Sequence, residues 1–199
     1  MLRPIANPLP LGFLALAGGT LMLAGLQLGW IPRGEGHQVA LVLLAFVVPL
    51  QLVSSVFGFL ARDVVTGTGM GLLAGTWLAI ALVTLTTPPG ALSEALGTLL
   101  IASAALLLVP AGAASLAKVV PAAVIATTSV RFALTGVAQL GAGAAWADAA
   151  GIVGLVLCAL AVYAGLALAL EDARQAAWLP LRRRGGGAAD GEVGVRRQI

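Results

Sequence analysis

The sequence is short of charge, and that shortage decides its class. Only 10% of the 199 residues are Asp, Glu, Lys or Arg, against about 25% in soluble proteins. Hydrophobic residues make up 60%, and the mean hydropathy is +1.03. A chain of this length cannot hide that much apolar surface in a water-soluble core, so lipid must be its solvent. Cysteine is nearly absent. Cys158 stands alone inside an apolar run, which excludes a disulfide framework and reads as a small buried hydrophobe. The single histidine, His37, lies in a loop with Glu35 and lacks ligand-type spacing for a metal. Gly67-Thr68-Gly69-Met70-Gly71 is glycine-rich but has no strand before it and no Walker lysine after it, so it reads as a tight helix start. No Ser-His-Asp arrangement converges on one cavity. No catalytic residue, metal or cofactor is assigned. A signal-peptide pattern is missing too: only Arg3 precedes the first apolar run, so that run is read as a retained span.

What the chain does have is six apolar segments of the roughly 20 residues needed to cross a hydrocarbon core. They run over about 11–30, 39–60, 66–87, 92–111, 122–140 and 149–170. The fold class predicted is an all-α membrane protein, a six-transmembrane-helix bundle. Residues 1–10 form an entry segment, 11–170 the transmembrane domain, and 171–199 a cytoplasmic basic tail. In that tail Arg182-Arg183-Arg184 and Gly185-Gly186-Gly187 read as disordered, with arginines suited to anionic headgroups. Arg3, Arg62, Lys118, Arg174 and the tail arginines fall on one side and only Arg33 on the other, so both termini are placed in the cytoplasm. The expected location is the plasma membrane, multi-pass. The net charge of +3 comes largely from the tail and speaks of orientation rather than nucleic acid. Gly25 with Gly29 and Gly71 with Gly75 have the small-xxx-small spacing that lets helices approach closely.

Arg131 is the residue that fits worst. It sits near the middle of the fifth segment, roughly 13 Å from either interface at about 1.5 Å rise per residue. A mid-span arginine costs about 2.5–3.5 kcal/mol on insertion scales. Asp63, Glu94, Asp148 and Glu171 all fall at segment ends, so no carboxylate within the spans offsets that cost. Arg131 must find carbonyls, hydroxyls, an amide such as Gln51, water or a visiting anion. It is read either as part of a permeation path or as a clamp between helices. A guanidinium matches a carboxylate in geometry, which suits a small organic acid as the visitor. Asn7, Gln51, Ser54, Ser55, Thr76, Thr127 and Thr128 are the polar residues that could line such a path.

The first segment opens with Asn7-Pro8-Leu9-Pro10-Leu11-Gly12-Phe13. Pro10 suits the first turn of a helix, and Asn7 is placed to cap its free amides. This Asn-Pro-x-Pro-Leu-Gly pattern resembles the signature of the acetate uptake transporter family, with Leu9 where that family usually has a smaller residue. Gly151 to Tyr163 resembles its final span, and Gly58 to Gly71 followed by Thr76-Trp77-Leu78 is a weaker match. Together these matches fall across most of residues 7–170.

The resemblance implies transport of small monocarboxylates, acetate first and succinate as a second candidate, with proton linkage left open. It also implies a ring-shaped homohexamer with a path in each subunit. Carried over by position, the family's constriction falls near Leu16, Leu73 and Thr128. Leu16 replaces an aromatic and Thr128 an apolar residue, so a wider or wetter opening is expected. Ala161 and Tyr163 match positions in the last span, the former linked to substrate choice. For Tyr163 the alternative is a helix-packing hydroxyl with a local partner. The substrate-path set is therefore Asn7, Pro8, Pro10, Leu11, Gly12, Leu16, Gln51, Leu73, Thr127, Thr128, Arg131, Ala161 and Tyr163. Two other readings stay open. One is a non-transporting scaffold or regulatory subunit, the other a channel for a neutral solute such as ammonia.

Overall fold

A computed structural model of the chain describes residues 6–116, 118–174 and 179–181, the side chain of Arg174 excepted. Arg3 and the basic tail from Arg182 onward lie outside the described residues. Six helical stretches are long and apolar enough to cross a membrane: Leu9–Gln27, Arg33–Leu60, Val64–Thr86, Glu94–Ser115, Val119–Gln139 and Ala144–Ala173. They are called the first to sixth spans below. The architecture is an all-helical bundle of six spans, as the apolar runs predict.

Each span packs against the next, and the sixth returns to the first, so the six close into a ring. The middle of that ring is filled by large side chains of the first, third and fifth spans. Phe13, Leu16, Leu73, Trp77, Arg131 and Phe132 are all buried there.

The ends differ from the sequence expectation in informative ways. The second span starts at Arg33, with a 3₁₀ turn over Arg33–Glu35, because Gly36, His37 and Gln38 continue the helix despite their polarity. His37 is held by its Nε2, 2.9 Å from the Thr87 carbonyl oxygen. Further along, Leu43–Val47 forms a π-turn just before Pro49. Proline has no amide proton, so the ladder must lose a bond there, and one wider turn absorbs the irregularity. The helix of the sixth span begins at Ala144 and runs on to Arg174, past Glu171 and Asp172. Glu171 does not stop it, because its carboxylate is paired with Lys118 Nζ at 2.9 Å.

One tight joint shows how the chain reverses between spans. Between the second and third spans, Arg62 takes φ +59, the left-handed position that usually calls for glycine. The Asp63 amide then reaches the Gly58 carbonyl and the Arg62 amide that of Phe59. Asp63 also caps the third span, accepting from the Thr66 amide at 3.0 Å and the Thr66 hydroxyl at 2.7 Å.

Glycine does permit close approach, but not mainly at the spacings singled out above. Gly29 and Gly75 have open space where a side chain would be, whereas a Cβ at Gly97 would lie 2.9 Å from the Gly136 carbonyl oxygen and one at Gly136 2.8 Å from that of Gly97. The fourth and fifth spans cross there, backbone against backbone. Gly75 instead lines an open groove of about 220 Å³ between the third and fourth spans, with Gly71, Thr76 and Ser103. Thr76 thus faces that groove, where its hydroxyl meets Leu72 O and Ser103 Oγ.

Candidate functional site

The Asn7–Gly12 stretch builds a joint between three spans. Asn7 Oδ1 accepts from the Leu9 amide at 3.1 Å, the capping role expected of it. Pro10 occupies the first turn of the helix, where no amide proton is needed. The Pro8 carbonyl accepts from Ser54 Oγ of the second span at 2.8 Å. Gly12 is buried against the second and third spans, where a Cβ would collide with Met70 Sδ and come within 2.7 Å of Ser54 Oγ. Leu11 points the other way and is 37% exposed on the outer face of the bundle. Of this motif, then, Asn7, Pro8, Pro10 and Gly12 serve the joint, and Leu11 does not turn inward.

One turn further in lie Leu16, Leu73 and Thr128, each with no exposed surface. The expected wider or wetter opening is not seen at these residues. Thr128 spends its hydroxyl on the Val124 carbonyl of its own helix, 2.8 Å away, and Thr127 does the same to Ala123. Ala161 is fully buried on the sixth span. Tyr163 is directed elsewhere: its hydroxyl donates to the Pro180 carbonyl at 3.1 Å, the local partner given as the alternative.

Arg131 is fully buried in the middle of the bundle. Its Nη2 donates to the Thr20 carbonyl and to Gln27 Oε1, both at 3.2 Å and both on the first span. Gln27 is itself held by donating through Nε2 to Thr135 Oγ1, one turn beyond Arg131. The guanidinium carbon lies 5.9 Å from the centre of the Trp77 ring, inside cation–π range. Phe132 meets the same ring edge-on. A Cβ at Gly154 of the sixth span would be 2.6 Å from Arg131 Nε, so glycine there makes the slot the guanidinium occupies.

Arg131 therefore neither turns toward headgroups nor sits on an acid. Its amide partner is Gln27, not Gln51, and that part of the sequence reading is corrected. Gln51 stands on the second span about one turn deeper than Ser54, and neither of its amide atoms has a partner.

Magnitudes show what is left unmet. Hydrogen bonds to a charged group net about 1.5–3 kcal/mol each, and a desolvated cation–π contact about 2. These are enough to offset an insertion cost of about 2.5–3.5 kcal/mol. They do not satisfy Arg131 Nε and Nη1, which are buried without partners, as are Trp77 Nε1, Thr20 Oγ1 and both amide atoms of Gln51. Each such group carries a desolvation penalty of about 1–3 kcal/mol. The unmet groups are mostly donors, the chemistry of a site for an anion.

Sequence reasoning found Arg131 and Gln51 but missed Thr20, Gln27, Trp77 and Gly154. Thr20 and Gln27 lie seven residues apart, hence on one helix face. That spacing was the only available signal for them.

With this geometry in view, the bundle can be compared with solved structures. It is similar to the bacterial acetate channel SatP, with a TM-score of 0.69 and 22% identity over 89% of this chain and 99% of that one. The two share one fold. No family model and no curated protein matches the chain. The likeness to SatP extends over nearly the whole bundle, so the arrangement of the six spans belongs to the shared fold.

Proposed function

We propose that this protein conducts small monocarboxylates, acetate first, across the plasma membrane, with Arg131 in the path. The single observation that carries the reading is the guanidinium of Arg131, enclosed at mid-bundle with two nitrogens unpartnered and no acid beside it. The shared fold with a bacterial acetate channel and the Asn7–Gly12 entry pattern support the same substrate class. In this reading the ionised carboxylate enters by the Asn7 end, passes Leu16, Leu73 and Thr128, and is met by the free N–H groups of Arg131. Gln51, Thr127 and Ala161 belong to the walls. Both termini face the cytoplasm, because Arg62 and Lys118 lie at the positive end. Proton linkage, if transport has it, runs on the substrate or through water and hydroxyls, since the buried acid described in the spans, Glu171, sits at the end of the sixth and is paired with Lys118. A homohexamer with one path per subunit is the assembly we attach to this reading, with succinate, in its singly charged form, as a second substrate. No enzymatic step is part of it.

The test is uptake of labelled acetate into proteoliposomes, with and without a pH gradient. Arg131→Gln is expected to lower acetate flux at least tenfold while the protein still elutes as a folded species. Unchanged uptake removes Arg131 from the mechanism. Absence of any acid movement by the unaltered protein would favour a scaffold. That alternative needs a partner's carboxylate to reach Arg131, whose side chain has no exposed surface. Passage of ammonia regardless of the charge at position 131 would favour the neutral-solute channel.

A further inference from the structure

Resting on that reading, we infer that Arg131 and Trp77 together form a binding site for one small singly charged carboxylate, and that the site discriminates against dicarboxylates. Trp77 carries the argument beyond the path residues already named. Its indole is fully buried, its Nε1–H has no acceptor, and its ring lies against the Arg131 guanidinium. A buried indole N–H ordinarily finds a partner. Here the groups packed around it are a cation and the edge of Phe132. Unmet donors on the third and fifth spans thus belong to neighbouring side chains.

Levels along the bundle place the neighbouring groups. Gly12 and Met70 are in contact. From there the first span rises about 12 Å to Thr20 and the third about 10 Å to Trp77. Thr20, Trp77 and Arg131 therefore share one layer, consistent with the bond from Arg131 to the Thr20 carbonyl. Gln51, about one turn beyond Ser54, lies roughly 6–8 Å below that layer on the side of Asn7, near the level of Leu16. Among the unpartnered buried groups described, the Gln51 amide lies nearest the Asn7 end. The acceptors the layer offers to Arg131 are already used by Nη2, while Nε, Nη1 and the indole N–H are left to an incoming anion.

Charge counting then sets the ligand class. One guanidinium balances one carboxylate. Phe132 stands in the same layer against Trp77, Leu16 and Leu73 lie about 6 Å below it, and Arg131 is the only Lys or Arg among the fully buried residues described. A second ionised carboxylate would be left unpaired in that apolar layer, at the high cost of any uncompensated buried charge. Gly154 lets the guanidinium pack against the sixth span, where a Cβ would meet Arg131 Nε.

The experiment uses the full chain in detergent with Trp30, Trp146 and Trp178 replaced by Phe, so that emission reports Trp77 alone. Acetate is expected to change that emission saturably. Succinate at about pH 8, where both carboxylates are ionised, is expected to compete at least tenfold more weakly. Arg131→Gln in the same background should weaken acetate at least tenfold. Equilibrium binding of labelled acetate to Trp77→Phe, which keeps a ring but loses the N–H, should be several-fold weaker and serves if Arg131→Gln does not fold. Acetate affinity unchanged within twofold in both variants, or succinate dianion binding as tightly as acetate, overturns the site. Acetate bound with these preferences by a protein that moves none into liposomes would support the site and refute the transport reading. Acetate flux with binding indifferent to both residues would do the reverse.

Discussion

The entry end of the bundle and its middle hold similar numbers of polar side chains and treat them in opposite ways. At the entry, every polar group named has a partner. Asn7 caps the first span, Ser54 reaches Pro8, Ser55 reaches the Gly67 carbonyl at 2.7 Å, and Thr66 is bonded twice to Asp63. In the middle, Thr20 Oγ1, Gln51, Trp77 Nε1 and two nitrogens of Arg131 have none. Asn7 and Asp63 are exposed, but Ser54, Ser55 and Thr66 are as buried as the groups in the middle, so burial alone does not separate the two regions. Satisfaction does. A polar group that has met its needs within the fold is explained by the fold, whereas one left unmet in a low-dielectric interior costs stability and asks for something that arrives later.

Substitutions can break that comparison. The largest effect is expected at the entry, where Gly12→Val must push Met70 and Ser54 aside together. Overpacking of that kind costs about 1–3 kcal/mol, and flux should fall only in step with the yield of folded protein by gel filtration and thermal melting. Gly154→Ala tests the middle. Its Cβ would meet Arg131 Nε and the Ala24 side chain, so the guanidinium must shift within its slot. The expected result is a several-fold rise in the KM for acetate uptake, with a melting temperature near that of the parent. If Gly12→Val impaired flux per folded molecule while Gly154→Ala left KM alone, the roles assigned to the two regions would have to be exchanged. Ser54→Ala is a smaller case. It removes one hydrogen bond, worth about 1 kcal/mol, and saturating flux should stay within twofold, because the Pro8 carbonyl still receives the Gly12 amide at 3.3 Å.

How much of this was legible in the sequence follows the same division. The six spans were readable because each needs a long apolar run and the chain has six of them. Their ends were not, since Gly36 to Gln38 and Glu171 are polar yet helical, the last stabilised by Lys118 from another part of the chain. Arg131 was conspicuous because a cation in lipid breaks a rule that can be stated one residue at a time. Its partner was not. Gln27 and Gln51 are the same side chain in two apolar helices, and only the way the first span turns toward the fifth decides between them. Trp77 was visible within a short motif, but a tryptophan in a membrane helix is ordinary until its N–H is found without an acceptor. Gly154 carries no side chain, so its role exists only in the atom it makes room for.

The smallest expected effect belongs to Tyr163, and it sharpens the comparison from the other direction. Resemblance places this tyrosine in the substrate path, while the structure gives its hydroxyl a partner outside the central layer, the Pro180 carbonyl after the sixth span. By the rule drawn above, a satisfied hydroxyl belongs to the fold. Tyr163→Phe should then lose no more than about 1 kcal/mol, the net worth of a single neutral hydrogen bond. The exposed setting of that bond lets water take over the freed carbonyl, which lowers the cost further. Acetate uptake should match the parent within experimental scatter, measured beside a thermal melt of the same preparation. A drop of threefold or more without loss of melting temperature would mean that substrate passes the tyrosine. In that case satisfaction by the fold would no longer mark a residue as structural, and the reading of Arg131 from its unmet donors would lose its contrast.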